Sequence, residues 1–283
     1  MFDSAMSQGE VESLARELLS AYETGKMVAV PPSARPGFDL NTAFSVETTL
    51  QELREASGHK AVGRKVGYAN RAVWRLLKLE TLVWAHMYED TVHYADGKSA
   101  TLTLAHPRSL KIEPEIVFGL KQSIPTGGPE TLDASAALRC ADWLAIGFEI
   151  IDCPFPDWKF QPSDFVASFG LHAALVIGDR MPVGSDDILT LVEELSRFKV
   201  RISKNGEFVE EGSGRNSLKS PALCLAELSS AIARRFPDGP LVAAEIVSSG
   251  TLTAGHPTER GDLWTVEVEG LSLRQPSLTL RLT

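Results

Sequence analysis

The sequence predicts an α+β fold in which a helical N-terminal cap precedes a mixed, β-rich domain. Two stretches with apolar residues at helical spacing occupy the first 60 residues. From Ala61 onward, short apolar runs alternate with clusters of Gly, Pro, Asn and Asp, a pattern typical of a domain with many short strands. Since the sequence contains no internal repeat or low-complexity linker, we expect a cap over residues 1–60 and one further domain over residues 61–283.

The cap is predicted to consist of two amphipathic helices. The first covers about residues 11–26 and ends near Gly25, and the second covers residues 42–57 and is stopped by Gly58. The apolar residues that recur at helical spacing in the two stretches are Leu14, Leu18, Leu19, Tyr22, Phe44, Val46, Leu50 and Leu53.

The β-rich domain is predicted to interrupt its strands with helices. Strands are expected at residues 66–68, 109–120, 143–151, 173–177, 199–203, 246–248, 263–268 and 278–282. Helices are expected at residues 71–79, 135–141, 188–196 and 221–235. The Asn205-Gly206 dipeptide between two apolar runs is a strong signal for a two-residue hairpin, which predicts a reversal of strand direction there.

Composition limits the classes of function. Apolar residues make up 43% of the chain and charged residues 23%, as in packed globular proteins. The formal net charge of −9, without a long run of Lys and Arg, argues against nucleic acid or an anionic membrane as a partner. The three cysteines are widely spaced, and no stretch reaches the roughly 20 apolar residues that a membrane span requires. We therefore expect a cytoplasmic protein that binds a small molecule.

Acidic residues within apolar strands form the most informative pattern. Glu113 and Glu115 lie two residues apart in the predicted strand 109–120, so the period of two places both carboxylates on one face. Glu149 lies inside the apolar run 143–151. Buried carboxylates lose hydration and repel one another, and a divalent cation would compensate for both costs. Oxygen ligands of this kind suit Mg²⁺ or Mn²⁺ better than zinc.

An ordinary half-buried strand explains the same spacing. Because apolar residues occupy the alternate positions 112, 116, 118 and 120, Glu113 and Glu115 would face solvent in such a strand. The spacing alone leaves both interpretations open.

Several motifs in the same order resemble the 2-keto-4-pentenoate hydratase family, which includes 4-oxalocrotonate decarboxylases and belongs to the fumarylacetoacetate hydrolase superfamily. The segment 112–118, and the segment 148–152 followed by Asp157-Trp158, resemble the paired metal-binding segments of that family. Further similarity covers residues 63–67, 212–216, 221–228 and 249–253. The resemblance implies a fumarylacetoacetate hydrolase-like catalytic domain in which Glu113, Glu115 and Glu149 hold Mg²⁺ or Mn²⁺.

Other candidate site residues follow from the same motifs. The lysine that matches Lys65 lines the active site of the resembling family, which implies substrate binding or proton transfer here. The Ser249-Gly250-Thr251 turn could hold a substrate carboxylate through its hydroxyls and backbone N–H groups. Asp90 and His172 are candidate acid–base groups. Each candidate also has an ordinary interpretation. Lys65 could be a surface charge, residues 249–251 an ordinary turn, and His172 a hydrogen-bonded core histidine.

The sequence departs from the family pattern at two places. Where the hydratases carry an Asp followed by an aromatic residue and Gly, this chain has Leu82-Val83-Trp84-Ala85 and no carboxylate. Where the family has Ala-Asp-Asn, this chain has Ala167-Ser168-Phe169. Both changes argue against the standard hydratase substrate.

The resemblance implies a metal-dependent lyase that acts on a small 2-oxo or 2-hydroxydienoic acid through an enolate, as in meta-cleavage catabolism of aromatic compounds. Hydration is the first expectation. Decarboxylation or C–C bond hydrolysis of a related substrate is an alternative, and so is a non-catalytic subunit that stabilises an active partner. The family also implies a homo-oligomer and an association with a related enzyme.

Overall fold

The computed structural model describes residues 6–125, 132–236 and 239–283. The helices within these ranges are α1 (Gln8–Thr24), α2 (Leu40–Ala56), α3 (Arg71–Leu77), α4 (Ala134–Cys140), α5 (Pro162–Ala167), α6 (Ile188–Arg197) and α7 (Pro221–Arg235). The strands are β1 (Ala61–Gly67), β2 (Val83–Tyr88), β3 (Val92–Tyr94), β4 (Ser99–Leu102), β5 (Leu110–Leu120), β6 (Ala141–Asp152), β7 (His172–Ile177), β8 (Met181–Pro182), β9 (Lys199–Lys204), β10 (Glu207–Ser213), β11 (Ile246–Thr251), β12 (His256–Pro257), β13 (Leu263–Glu269) and β14 (Ser277–Leu282).

The strands of the described residues form two sheets. The larger sheet has the order β2-β1-β11-β5-β6-β7-β3, with β12 paired to β5 and β8 paired to β6. The smaller sheet has the order β10-β9-β13-β14-β4. The long strands β5 and β6 lie at the centre of the larger sheet and pair antiparallel over most of their length. Their central position places any side chain on their inner face among residues of β1, β7 and β11.

The helical cap forms as the sequence predicts. Helix α1 begins after Ser7, whose side chain accepts a hydrogen bond from the Glu10 backbone while the Glu10 carboxylate accepts from the Ser7 backbone. It ends at Gly25, whose φ of 68° is the left-handed conformation. Helix α2 begins after Asp39, which caps the Thr42 N–H. The two helices pack against each other, and Phe44 of α2 contacts Trp84 of β2.

The α+β fold class and most predicted elements are confirmed. The predicted hairpin is present between β9 and β10, where Asn205 and Gly206 have φ values of 54° and 87°. The sequence analysis did not predict β2, which carries no turn signal and is buried at all six of its residues. The division into a cap and a second domain stays a prediction, although α2 ends and β1 begins close to the expected boundary.

Within the three described ranges, none of the helices combines the length and the apolar character needed to cross a membrane.

A buried contact between a carboxylate and a histidine joins the cap to the larger sheet. The Glu47 carboxylate of α2 accepts a hydrogen bond from the His86 backbone N–H of β2 and contacts His86 Nδ1. Both side chains are almost fully buried. Burial raises the pKa of the Glu47 carboxyl, but His86 and its hydrogen bonds lower the pKa by more, so that the net shift is downward. The carboxylate is therefore stabilised in the folded protein.

We expect Glu47→Ala to lower the free energy of unfolding at neutral pH by about 3 kcal/mol, because it leaves the buried His86 backbone N–H without its charged acceptor. A carboxyl with a lowered folded-state pKa contributes stability above its unfolded pKa and loses it as pH falls through the folded value. The difference between the two proteins should therefore shrink as pH falls below the ordinary glutamate pKa of 4.5. Urea denaturation across pH measures this, with Glu52→Ala on the exposed face of α2 as the control. A difference independent of pH would contradict the expectation.

Candidate metal centre

Three glutamates converge on one face of the central strand pair. In the register of β5 and β6, Glu113 lies opposite Glu149, and paired residues of antiparallel strands point to the same face. Glu115 is two residues further along β5 and therefore shares that face. One carboxylate oxygen from each of Glu113, Glu115 and Glu149 lies within 4.8 Å of the others.

Glu149 is held from two sides by side chains of the flanking strands. Its Oε2 accepts a hydrogen bond from Lys65 Nζ of β1 at 2.9 Å, and its Oε1 lies 2.8 Å from Nδ1 of His172 at the start of β7. The His172 Nε2 contacts Thr91 Oγ1 at 3.0 Å. Gly170 leaves space for the lysine, because a Cβ there would approach Lys65 Cδ to 2.5 Å. These contacts fix the orientation of the Glu149 carboxylate.

Glu115 is oriented by strand β11. Its Oε2 accepts hydrogen bonds from Ser248 Oγ and from the Gly250 backbone N–H. Gly250 has a φ of 89°, in the left-handed region that favours glycine, and this conformation directs its N–H at Glu115. The other oxygen, Oε1, is buried and has no hydrogen-bond partner among the residues that the structure describes. A buried carboxylate oxygen without a partner is unfavourable unless something else binds it.

The electrostatics of the cluster fit a bound cation. Burial raises the pKa of Glu113 to about 7, and the nearby Glu149 adds to this rise while Lys65 opposes it. Burial and the Glu149 charge raise the pKa of Glu115 well above its ordinary value. For Glu149, burial raises the pKa, but Lys65 and His172 lower it by more. Lys65 alone compensates for one of three carboxylates, and a divalent ion would stabilise the other two.

A pocket of about 510 Å³ opens over this cluster. Lys65 and Glu113 line its inner end, and aromatic and aliphatic side chains form much of its wall. The larger apolar lining residues are Val66, Ile151, Trp158, Phe160, Phe165 and Leu171. The polar lining residues are Tyr68, Asn70, Lys111, Glu210, Asn216, Thr251 and Thr253. An apolar cleft with a few convergent polar groups is the usual form of a small-molecule site.

Most of the site residues predicted from the sequence lie together. Glu113, Glu115, Glu149, Lys65 and His172 form one connected cluster. The burial of Glu115 and Glu149, at 1% and 0% exposed, excludes the solvent-facing interpretation for these two side chains. Their roles in catalysis stay predictions.

The turn 249–251 contributes differently from the expectation. Thr251 lines the pocket, but the Gly250 N–H is used by Glu115 and the Ser249 hydroxyl donates to the Ile116 carbonyl. Ser249 is therefore turned away from any substrate. Ser248, which sequence analysis did not select, makes the contact to Glu115. The period of two could have identified it, since Ser248 and Gly250 share a face.

Asp90 lies outside the pocket, contrary to its predicted place among the acid–base groups. Its carboxylate accepts two hydrogen bonds of 2.8 Å from the Arg54 guanidinium and lies 3.2 Å from His59. It lines a separate cavity with Tyr22 and Arg108. The ion pair with the buried Arg54 explains why this carboxylate faces the cap and not the pocket.

The comparisons with known proteins agree with this geometry. No protein-family model matches the chain. The chain is 30% identical over 267 residues to a 4-oxalocrotonate decarboxylase of Pseudomonas sp. strain CF600, covering 94% of this chain and 96% of the relative. It is 28% identical over 261 residues to a 2-hydroxyhexa-2,4-dienoate hydratase of Comamonas testosteroni, covering 92% and 94%.

Solved structures show the same fold. The 4-oxalocrotonate decarboxylase from Pseudomonas putida G7, complexed with magnesium and adipate, has a TM-score of 0.86 and 25% identity, with 99% of both chains covered. A fumarylpyruvate hydrolase from Pseudomonas aeruginosa, in complex with Mn²⁺ and pyruvate, has a TM-score of 0.54 and 16% identity, with 78% of this chain and 89% of the other covered. The second likeness shows the fold alone.

The fold is of the fumarylacetoacetate hydrolase-like class and carries the carboxylate cluster on its central strand pair. The chain belongs to the family of 2-keto-4-pentenoate hydratases and 4-oxalocrotonate decarboxylases, whose named members are enzymes.

We expect Mn²⁺ at roughly 100 times its Kd to raise the Tm of the protein by about 5–10 °C, because binding to the folded state alone adds about 2.7 kcal/mol. Glu115→Gln should abolish this shift while keeping at least the wild-type Tm without metal, since the amide oxygen can still accept from Ser248 and carries no repelling charge. Differential scanning fluorimetry measures both effects. Glu193→Gln on the exposed surface of α6 is the matched control. An unchanged metal shift in Glu115→Gln would remove this carboxylate from the site.

Proposed function

We propose that the chain is a divalent-metal-dependent lyase that acts on a small 2-oxo or 2-hydroxydienoic acid, with hydration as the first candidate reaction. The observation that carries the proposal is the cluster of Glu113, Glu115 and Glu149 at the inner end of an apolar pocket. The names of the relatives, dienoate hydratases and 4-oxalocrotonate decarboxylases, support this substrate class.

Mg²⁺ or Mn²⁺ is the proposed cofactor. The three carboxylates offer hard oxygen ligands, which both ions prefer, and the unpartnered Oε1 of Glu115 suits a ligand position. Magnesium and Mn²⁺ are present in two solved structures of the same fold. When bound, such an ion supplies Lewis-acid polarisation of the 2-oxo group of the substrate.

Lys65 is the proposed proton-holding group of the site. Burial lowers its pKa, but the charges of Glu149, Glu113 and Glu115 raise the pKa by more, so Lys65 is a charged ammonium. Its Nζ is fixed by Glu149 and it lines the pocket. The ammonium can therefore donate a hydrogen bond to a substrate oxygen on which negative charge develops, and it can hold or return a proton there.

His172 and Thr251 have separate proposed roles. His172 does not line the pocket but contacts Glu149 through Nδ1. We propose that it orients the Glu149 carboxylate, in the way that hydrogen-bond partners orient metal-binding carboxylates in other proteins. Thr251 lines the pocket, but its hydroxyl donates to the Thr253 carbonyl oxygen at 3.0 Å, so we propose that it shapes the wall beside the substrate. The apolar walls exclude water, which strengthens the electrostatic interactions at the inner end.

Decarboxylation is the second candidate reaction, and a specific observation favours it. Residues 82–85, where the hydratases of the family carry a carboxylate, are apolar and buried here. Hydration requires a positioned water and a proton donor, whereas decarboxylation requires stabilisation of the charge left on the 2-oxo acid and the return of one proton. Lys65 supplies a proton in either reaction.

The remaining proposals concern the location and the assembly of the protein. We propose a cytoplasmic homo-oligomer that associates with a related enzyme of the same pathway. Cys140, Cys153 and Cys224 are free and buried, as expected in a reducing compartment. The exposed apolar residues Leu76 and Leu189 are available for contacts between chains.

Incubation of the purified protein with Mg²⁺ and either 2-hydroxypenta-2,4-dienoate or 2-oxohex-3-enedioate, followed by proton NMR, tests the proposed function. We expect turnover of at least one compound, with loss of the vinyl signals for hydration or formation of the shorter monocarboxylate for decarboxylation. The variant Glu115→Gln should reduce the rate at least 100-fold, since it removes a charged ligand. If neither compound is consumed, the substrate class is wrong. If the chain is inert but co-purifies with an active relative, the non-catalytic interpretation is favoured instead.

A further inference from the structure

A second cation lies in the pocket, apart from the carboxylate cluster. Lys111 is on the same face of β5 as Glu113 and Glu115 because all three positions follow the period of two. It lines the pocket, and its backbone pairs with Ile151 of β6 and Pro257 of β12. Lys111 is thus two residues from Glu113 in the direction away from Glu115, which is roughly 6.6 Å along the strand.

The ammonium of Lys111 lies on an aromatic ring, and the charge of Glu113 attracts it without forming an ion pair within 4.0 Å. Its Nζ lies 4.0 Å from the centroid of the Trp158 ring, a geometry that attracts a cation to the ring face. Trp158 is itself fixed, since its Nε1 donates to Ser109 Oγ at 2.7 Å. Among the residues that the structure describes, no carboxylate lies within 4.0 Å of Lys111 Nζ, in contrast to the neighbouring Lys159, which pairs with Asp157. The ammonium therefore has donors available for a ligand.

Glu210, another anion of the pocket, is already engaged by other partners. Glu210 lines the same pocket, but its Oε2 accepts from His256 Nε2 at 2.7 Å and from the Ala254 backbone N–H at 3.0 Å. The outer part of the pocket thus presents a cation with free donors beside aromatic side chains, among them Trp158 and Phe160.

We infer that Lys111 binds a second carboxylate of the substrate, so that the pocket selects 2-oxo dicarboxylic acids over monocarboxylic ones. The inference rests on the proposed function, in which the 2-oxo acid end of the substrate lies at the three glutamates. An extended six-carbon diacid separates its carboxyl carbons by roughly 6 Å, given C–C bonds of about 1.5 Å. A ligand of this length bound at the glutamates would extend toward the side of the pocket lined by Lys111, two residues from Glu113 on β5. A planar unsaturated chain between the two ends would lie against the aromatic wall.

The test uses two stable ligands of equal chain length, 2-oxohexanedioate and 2-oxohexanoate, which differ only in the distal carboxylate. Each is titrated calorimetrically into protein saturated with Mg²⁺. We expect the wild-type protein to bind the diacid roughly 10- to 100-fold more tightly, as a charge-assisted hydrogen bond predicts. Lys111→Met should bind both ligands with the wild-type affinity for 2-oxohexanoate. Lys111→Arg should retain the preference, because it keeps the charge.

Lys159→Met is the matched control, since it removes a lysine charge beside Trp158 that is 80% exposed, and it should keep the full preference for the diacid. Equal affinity of the wild-type protein for both ligands would overturn the inference and leave the 2-oxo acid site intact. An equal loss of affinity for both ligands in Lys111→Met would also overturn it, because Lys111 would then act through Glu113. If the wild-type protein binds neither ligand, the proposed function fails and the inference fails with it.

Discussion

The convergence of three carboxylates on the central strand pair, two of them fully buried, is the constraint on which the rest of the site depends. Glu115 and Glu149 are almost completely removed from water, and the cost of burying them is several kcal/mol unless partners compensate. The compensating groups come from the strands that flank β5 and β6. Strand β11 supplies the hydroxyl of Ser248 and the N–H of Gly250, strand β7 supplies His172, and strand β1 supplies Lys65. The order of the larger sheet therefore determines the site.

The compensation is incomplete in the protein alone, and this imbalance is informative. One carboxylate is paired with Lys65, while the pKa values of Glu113 and Glu115 are raised by burial and by neighbouring charge. A fold that only needed stability would replace such a cluster with apolar residues. Perturbed carboxyl groups at the base of a pocket are instead characteristic of functional sites. The cluster is thus best explained as a binding site for a cation and for an anionic substrate beside it.

Sequence reasoning reached the fold class, the hairpin at Asn205-Gly206 and the three glutamates, because each is encoded in a local pattern or a motif. It did not reach features that depend on packing between distant segments. Strand β2 lacks flanking turn signals and was missed, and Asp90 was selected although Arg54, 36 positions away in the chain, holds it outside the pocket. Similarly, the role of Lys111 depends on the side chain of Trp158, which approaches it only in the folded structure. The spacing of the glutamates could not decide whether Glu115 is buried. The answer comes from β11, which pairs with β5 beside Glu115 in the folded structure.

Anomalous diffraction at the manganese edge, from crystals grown with Mn²⁺, tests whether the three glutamates hold a metal ion. We expect one strong peak among Glu113, Glu115 and Glu149, at about 2.0–2.3 Å from a carboxylate oxygen of each, with further positions open toward the pocket. A peak elsewhere on the chain, or an occupied pocket in which Glu115 Oε1 contacts no ion, would contradict the claim that these buried carboxylates form the metal site.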